Sequence, residues 1–148
     1  NMDKYISLMM QALDMGGSNA EKADFYLELA NQAAKKGQSG KAREYALQAQ
    51  KLDPSKAAQV SNFIGMLYFH SGTICVTSDA QKAPVFNYVA YLAAYEMFQK
   101  AGNTSMMSKC QAYFPTAGSI HTLGMTGQIG SPIPVGCWIG GTTTLRKR

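Results

Sequence analysis

Apolar residues recur three and four positions apart through the first hundred residues, and the breaks between those runs divide the stretch into helices. Residues 2–15 carry Tyr5, Leu8, Met9, Ala12 and Leu13 at that spacing, and Gly16-Gly17 predicts the helix end, because glycine enters positive φ at little cost. Ser18 or Asn19 can cap a second helix with Glu21 in its first turn. The apolar stripe of that helix is Phe25, Tyr26, Leu29, Ala30, Ala33 and Ala34. Lys35-Lys36-Gly37 predicts its C-terminus, with bases at the negative end of the macrodipole and glycine ready for a left-handed residue. A third helix is predicted over residues 40–52, stopping at Asp53-Pro54 because a residue before proline is pushed out of the α region.

Past Phe114-Pro115-Thr116 the pattern changes, and residues 116–148 are dense in Gly, Thr, Ser and Pro. The reading is therefore a helical part over 1–115 and a β appendage over 116–148. Gly140-Gly141 between Ile139 and Thr142 suits a two-residue type I′ turn, which needs positive φ twice. Strand alternation then puts Ile133, Val135, Cys137 and Ile139 on one face, with Cys137 opposite Thr144 and Trp138 opposite Thr143. A lone hairpin is marginal in water, so its apolar face is expected against the last helices. Trp138 reads as a structural anchor, with an exposed binding residue as the alternative.

At 148 residues, 46% hydrophobic and 16% charged, the chain has the size and composition of one globular domain, which excludes wholesale disorder and collagen-like repetition. Its longest apolar runs, such as 89–94, fall far short of the roughly 20 residues that cross a bilayer. No basic segment followed by an apolar one opens the sequence, so no signal peptide is expected in it. The net charge of +5 is uneven: residues 1–96 hold nine acids and nine bases, whereas 97–148 hold five bases and no acid. Three of those five, Arg146, Lys147 and Arg148, are consecutive, which reads as a solvated basic end and not as the dense stripe that nucleic acid requires. Cys75, Cys110 and Cys137 are odd in number and far apart; buried thiols are the favoured reading, one disulfide plus a free thiol the other.

A repeat of hairpin size underlies the helices. Tyr26-x₂-Leu29-Ala30 with Gly37, Ala42, Ala49 and Pro54 is followed by Ile64-Gly65-x₂-Tyr68 with Gly72, then by Ala94-x₃-Phe98-x₂-Ala101. Ala30 and Gly65 are 35 residues apart, as are Gly37 and Gly72. Small residues at such places let paired antiparallel helices approach closely while large ones fill the space between hairpins. This pattern resembles the tetratricopeptide repeat over residues 23–56 and, in part, 57–101. The departures are Ala33 and Ala46 at positions for large residues, Ser61 for the leading Trp, and extra residues over 73–83. Ala112-Tyr113-Phe114-Pro115-Thr116, Val135-Gly136-Cys137-Trp138-Ile139 and Thr142-Thr143-Thr144-Leu145-Arg146 look like the β ending of tetratricopeptide proteins common in Bacteroidetes. Gly118-Ser119 replaces the acidic pair usual after that Phe-Pro-Thr, which weakens the helix expected there.

The resemblance implies a mostly α fold, a tetratricopeptide-like α-α superhelix of antiparallel helix pairs closed by a small C-terminal β-hairpin, and the C-terminal piece of a longer protein. It also implies a concave groove lined by the first helix of each hairpin, offering Asp24, Leu27, Asn31 and Lys35, then Asn62, Met66, Phe69 and His70. The expected function is a non-catalytic scaffold or adaptor whose partner is another protein or peptide segment. A purely structural cap of a longer solenoid and the regulatory domain of an enzyme complex are the alternatives. By resemblance the location is the cell envelope or periplasm, with the cytoplasm as alternative. Catalytic chemistry finds little footing: Cys75 lies five residues from His70 without a third partner, and Gly124-x-x-Gly127-x-x-Gly130 lacks the Lys-Ser/Thr of a phosphate loop. No enzyme activity, cofactor or metal is therefore expected.

Overall fold

A computed structural model describes residues 2–148, with the backbone alone at Met2. The chain is mostly helical, with a two-stranded antiparallel sheet near the C-terminus. Its contacts form two compact units, residues 1–60 and 61–148. This division falls within a helix.

In the first unit, α1 spans Met2–Gly16 and α2 spans Asn19–Lys35. Only part of the expected stripe on α1 turns inward: Met9 and Leu13 are half-buried, whereas Tyr5, Leu8 and Ala12 are exposed. Gly17 does not use positive φ as expected. Its N–H donates to the Leu13 carbonyl at 2.6 Å, and a Cβ there would lie 2.8 Å from that same oxygen, so glycine serves a close backbone approach. Ser18 caps α2 as predicted: its Oγ accepts from the Glu21 N–H while the Glu21 carboxylate accepts from the Ser18 N–H. Gly37, at φ 76°, closes the helix.

Helix α3, Ser39–Leu52, returns from that turn and packs on α2. Ala23, Ala30 and Ala33 of α2 and Ala42, Ala46 and Ala49 of α3 are buried, each at most 5% exposed. Phe25, Leu27 and Leu29 of α2 are buried as well, so small and large side chains share the interior of this helix pair. Asp53 then accepts from the Ser55 N–H and Oγ–H, which holds its carboxyl below the ordinary aspartate value and starts the turn into α4, Ala57–His70.

The second unit begins inside α4 at Ser61 and contains α5 (Ala83–Phe86), α6 (Val89–Ala101), α7 (Thr104–Gln111) and α8 (Ala117–Thr122). Every residue from Val89 to Ala94 is buried, and Phe98 is fully so; a helix apolar on all sides belongs at the centre of its core. Against it lie Val85, Cys110, Phe114, Ile120, Ile133 and Leu145. Helix α8 forms in spite of Gly118-Ser119, because the Thr116 hydroxyl caps the Ser119 N–H at 3.1 Å.

The hairpin exists, but in another register. Strands β1 (Pro132–Pro134) and β2 (Thr142–Thr144) pair Pro132 with Thr144, Ile133 with Thr143 and Pro134 with Thr142. Cys137 is therefore not opposite Thr144, nor Trp138 opposite Thr143. Gly140 and Gly141 do take positive φ, as the turn chemistry required, but so do Gly136 and Cys137, at 71° and 56°. Residues 135–141 become a loop closed by Val135 N–H to Gly141 carbonyl (3.0 Å) and Gly140 N–H to Gly136 carbonyl (2.9 Å). Ile133, Val135 and Ile139 are buried as expected, whereas Cys137 is exposed. Strand β2 packs on α6, so the appendage does rest on a late helix.

Candidate functional site

On α2, the positions the repeat pattern nominates stand at intervals of three and four residues, which keeps them on one face. Asp24, Asn31 and Lys35 are exposed; Asp24 is ion-paired with Lys56 at 2.8 Å. Leu27 is not available to a ligand, being 8% exposed and part of the core. Asn31 and Lys35, one turn apart near the C-terminal end of α2, therefore form the polar face that remains.

On α4, the four nominated residues have different duties. Asn62 is half-buried, and its Oδ1 accepts from Asn103 Nδ2 at 2.7 Å. Asn103 in turn caps α7 through the Met106 N–H at 3.1 Å, so Asn62 is held in the fold. Met66 and Phe69 pack against the core of the second unit with part of their surface open. Phe69 meets Tyr91 edge-on at 5.4 Å and Tyr113 at 5.9 Å, while those two rings stack at 4.3 Å, 11° from parallel. Burial, then the neighbouring Tyr113, pushes the Tyr91 phenol above its ordinary value. His70 is exposed beside Phe69, with ring centroids 5.9 Å apart. Phe69, His70 and the exposed Tyr113 thus gather into one aromatic surface on the second unit.

Three arrangements escaped the sequence reading. The first corrects the favoured state of the cysteines: Cys75 and Cys137 form a disulfide across 62 residues, and Cys110 is the free thiol, with burial pushing it up to about 12. Cys75 is therefore not paired with His70 as a nucleophile. The second is the Trp138 Nε1–H, which donates to Ser71 Oγ at 2.9 Å while the indole lies 5.5 Å from the Tyr68 ring. The third is Glu96. One of its carboxylate oxygens accepts from Thr143 Oγ1 (2.5 Å), the Thr144 N–H (2.8 Å) and Arg146 (3.2 Å). Burial alone would raise its pKa, but these bonds outweigh it and hold the carboxyl below the ordinary glutamate value. The Arg146 guanidinium also lies over Tyr95, 4.9 Å from the ring centre. A signal for this hub was present: Glu96 is the last acid before 52 residues that hold none.

Among the described residues no three His, Cys, Asp or Glu side chains gather as a metal site, and no helix is long and apolar enough to cross a membrane. No family model, curated protein or solved structure matches the chain.

Proposed function

We propose that this chain is a non-catalytic protein-recognition scaffold of the tetratricopeptide type, taking a peptide segment of another protein on the exposed face of α2. The observation that carries the reading is the helical hairpin of α2 and α3, with Ala23, Ala30, Ala33, Ala42, Ala46 and Ala49 buried. Small buried residues on both helices of a hairpin support this reading, because such repeats are built on closely paired antiparallel helices. Asn31 and Lys35 on α2 are exposed polar anchors that remain open to a ligand.

A displayed library of random peptides tests it. One sequence class should be enriched on the wild-type chain, and Asn31→Asp with Lys35→Glu should abolish that enrichment, whereas Lys147→Glu should not. Failure of any class to enrich, or enrichment indifferent to the α2 changes, overturns the reading.

A second reading has its own support. Tyr5, Leu8 and Met15 on α1 are 42%, 56% and 89% exposed, an apolar surface of the kind on which another hairpin stacks. In that role the chain caps a longer solenoid. Joining one further hairpin to α1 should then raise the melting temperature, and Leu8→Glu should cancel the gain.

A further inference from the structure

The Cys75–Cys137 disulfide joins two irregular segments of the second unit, the stretch after α4 and the loop over 135–141. Its two ends differ. Cys75 is 7% exposed, whereas Cys137 is open to solvent. Cys137 is also the one described residue other than glycine with positive φ, at 56°, a conformation that L side chains adopt at a cost. Both cysteines line a cleft of about 390 Å³ walled by Ile74, Val76, Phe86 and Val135, with Lys82 as its charged side chain. Ile74 and Val76 are 73% and 55% exposed, so that rim is open.

We propose that this disulfide is a thiol-exchange site, entered at Cys137, and not a fixed staple. The co-reactant is an external thiolate, either a small thiol or a protein dithiol. The thiolate sulfur attacks Cys137 Sγ, the Cys75–Cys137 bond breaks as the new S–S bond forms, and its electron pair leaves on Cys75, which then takes a proton from water. A second thiolate attacking the mixed disulfide releases Cys137 as a thiol, so two external thiols are oxidised to one disulfide as the protein's disulfide is reduced. Approach in line with the S–S bond favours the exposed sulfur. The Lys82 ammonium favours the negative charge that develops in the cleft. Cys110 takes no part, since it is fully buried and its thiol is pushed up to about 12.

Reduction has a structural consequence. The Trp138–Ser71 hydrogen bond still ties the loop to the end of α4, and the Asn87 side chain still holds the Thr77 N–H at 2.7 Å. The segment over 73–82 is otherwise largely exposed, and loss of the covalent tie frees it while the core around α6 stays packed.

Exchange on the folded chain is the test. The full chain is incubated with reduced glutathione or, in parallel, with a thioredoxin-type protein whose second active-site cysteine is serine, so that a mixed disulfide persists. Free thiols are then alkylated and mapped by peptide mass spectrometry, with far-UV circular dichroism recorded under the same conditions. The expected result is an adduct on Cys137, alkylation of Cys75, an unmodified Cys110 and an unchanged helical signal. Reaction with either reagent supports the proposal and identifies the source of the thiol. It is overturned by a first adduct on Cys75, by no adduct with either reagent, or by adducts that appear only as the helical signal is lost.

Discussion

A methyl group placed on Gly65 would lie 2.8 Å from Cε1 of Phe98, a ring with no exposed surface. Both residues belong to the second unit, and the small-residue position of the repeat pattern is here the seat of the large residue from α6. Gly65→Ala should cost about 1–3 kcal/mol, because a fully packed ring has nowhere to move. Gly65→Leu should cost more, and Phe98→Leu should recover part of the Gly65→Ala loss. Gly40 is the control: nothing lies within 4 Å of a Cβ there and its φ is not positive. Gly40→Ala should be neutral or stabilise by up to about 1 kcal/mol. Urea denaturation of the four variants checks the ordering, and equal stability of Gly65→Ala and wild type would contradict the close approach.

Two asparagines nominated for the same groove should behave differently. Asn62 is the acceptor for Asn103, which caps α7, so Asn62→Ala should lower stability by about 0.5–1.5 kcal/mol and leave a donor without its partner. Asn31 is exposed, and Asn31→Ala should stay within about 0.5 kcal/mol of wild type. Thermal melts separate the two, and peptide enrichment should respond to Asn31 even though stability does not.

Helix α2, its Ser18 cap and the turn at Gly37 were legible because each rests on neighbours in sequence: Ser18 at the helix start, Lys36 with Gly37 at its end. Most of the α2 stripe was legible for the same reason: Phe25, Leu29, Ala30 and Ala33 are buried, whereas Tyr26 and Ala34 are half-buried. The register of the hairpin was not. The rule that reads Gly-Gly as a two-residue turn saw Gly140 and Gly141 but gave no weight to Gly136 and Cys137, whose positive φ accompanies a first strand that ends at Pro134, five residues before Ile139. Contacts such as Glu96 to Thr143, or Cys75 to Cys137, join positions 47 and 62 residues apart, and no local rule reaches that far. At the candidate site, Asn31, Lys35 and His70, which the resemblance nominated for a groove, are exposed. The burial of Leu27 was hidden by a motif that assigns faces without knowing what packs on them.

Glu96 makes stability depend on acid. Its carboxyl in the folded chain ionises below the ordinary value near 4.5, so the unfolded chain holds the proton more tightly. The stabilisation is fully present above that ordinary value and is lost as pH falls through the lowered folded one. Wild-type stability should therefore be level from neutral pH down to about 5 as far as this group is concerned, then fall. Glu96→Gln should lose about 1–3 kcal/mol at pH 7, since the amide still accepts one hydrogen bond but turns a donor toward Arg146. The variant should also show a shallower acid limb. Parallel acid limbs for the two proteins in urea titrations at pH 3–7 would remove Glu96 as their cause.

The left-handed backbone at Cys137 implies a test that needs no redox chemistry. Removing Cys75 leaves residue 137 with positive φ and no covalent reason to hold it, while Val135, Gly140 and Gly141 still close the loop around it. Glycine populates that region freely and alanine does not. The pair Cys75→Ala/Cys137→Gly should therefore be more stable than Cys75→Ala/Cys137→Ala by about 1 kcal/mol, although glycine usually weakens a chain through its unfolded-state entropy. Both should lie below the oxidised wild type by about 2–4 kcal/mol, the loop-closure contribution expected for a bridge over 62 residues. Urea denaturation measures all three, and the opposite order of glycine and alanine would mean that residue 137 leaves the left-handed region once the disulfide is gone.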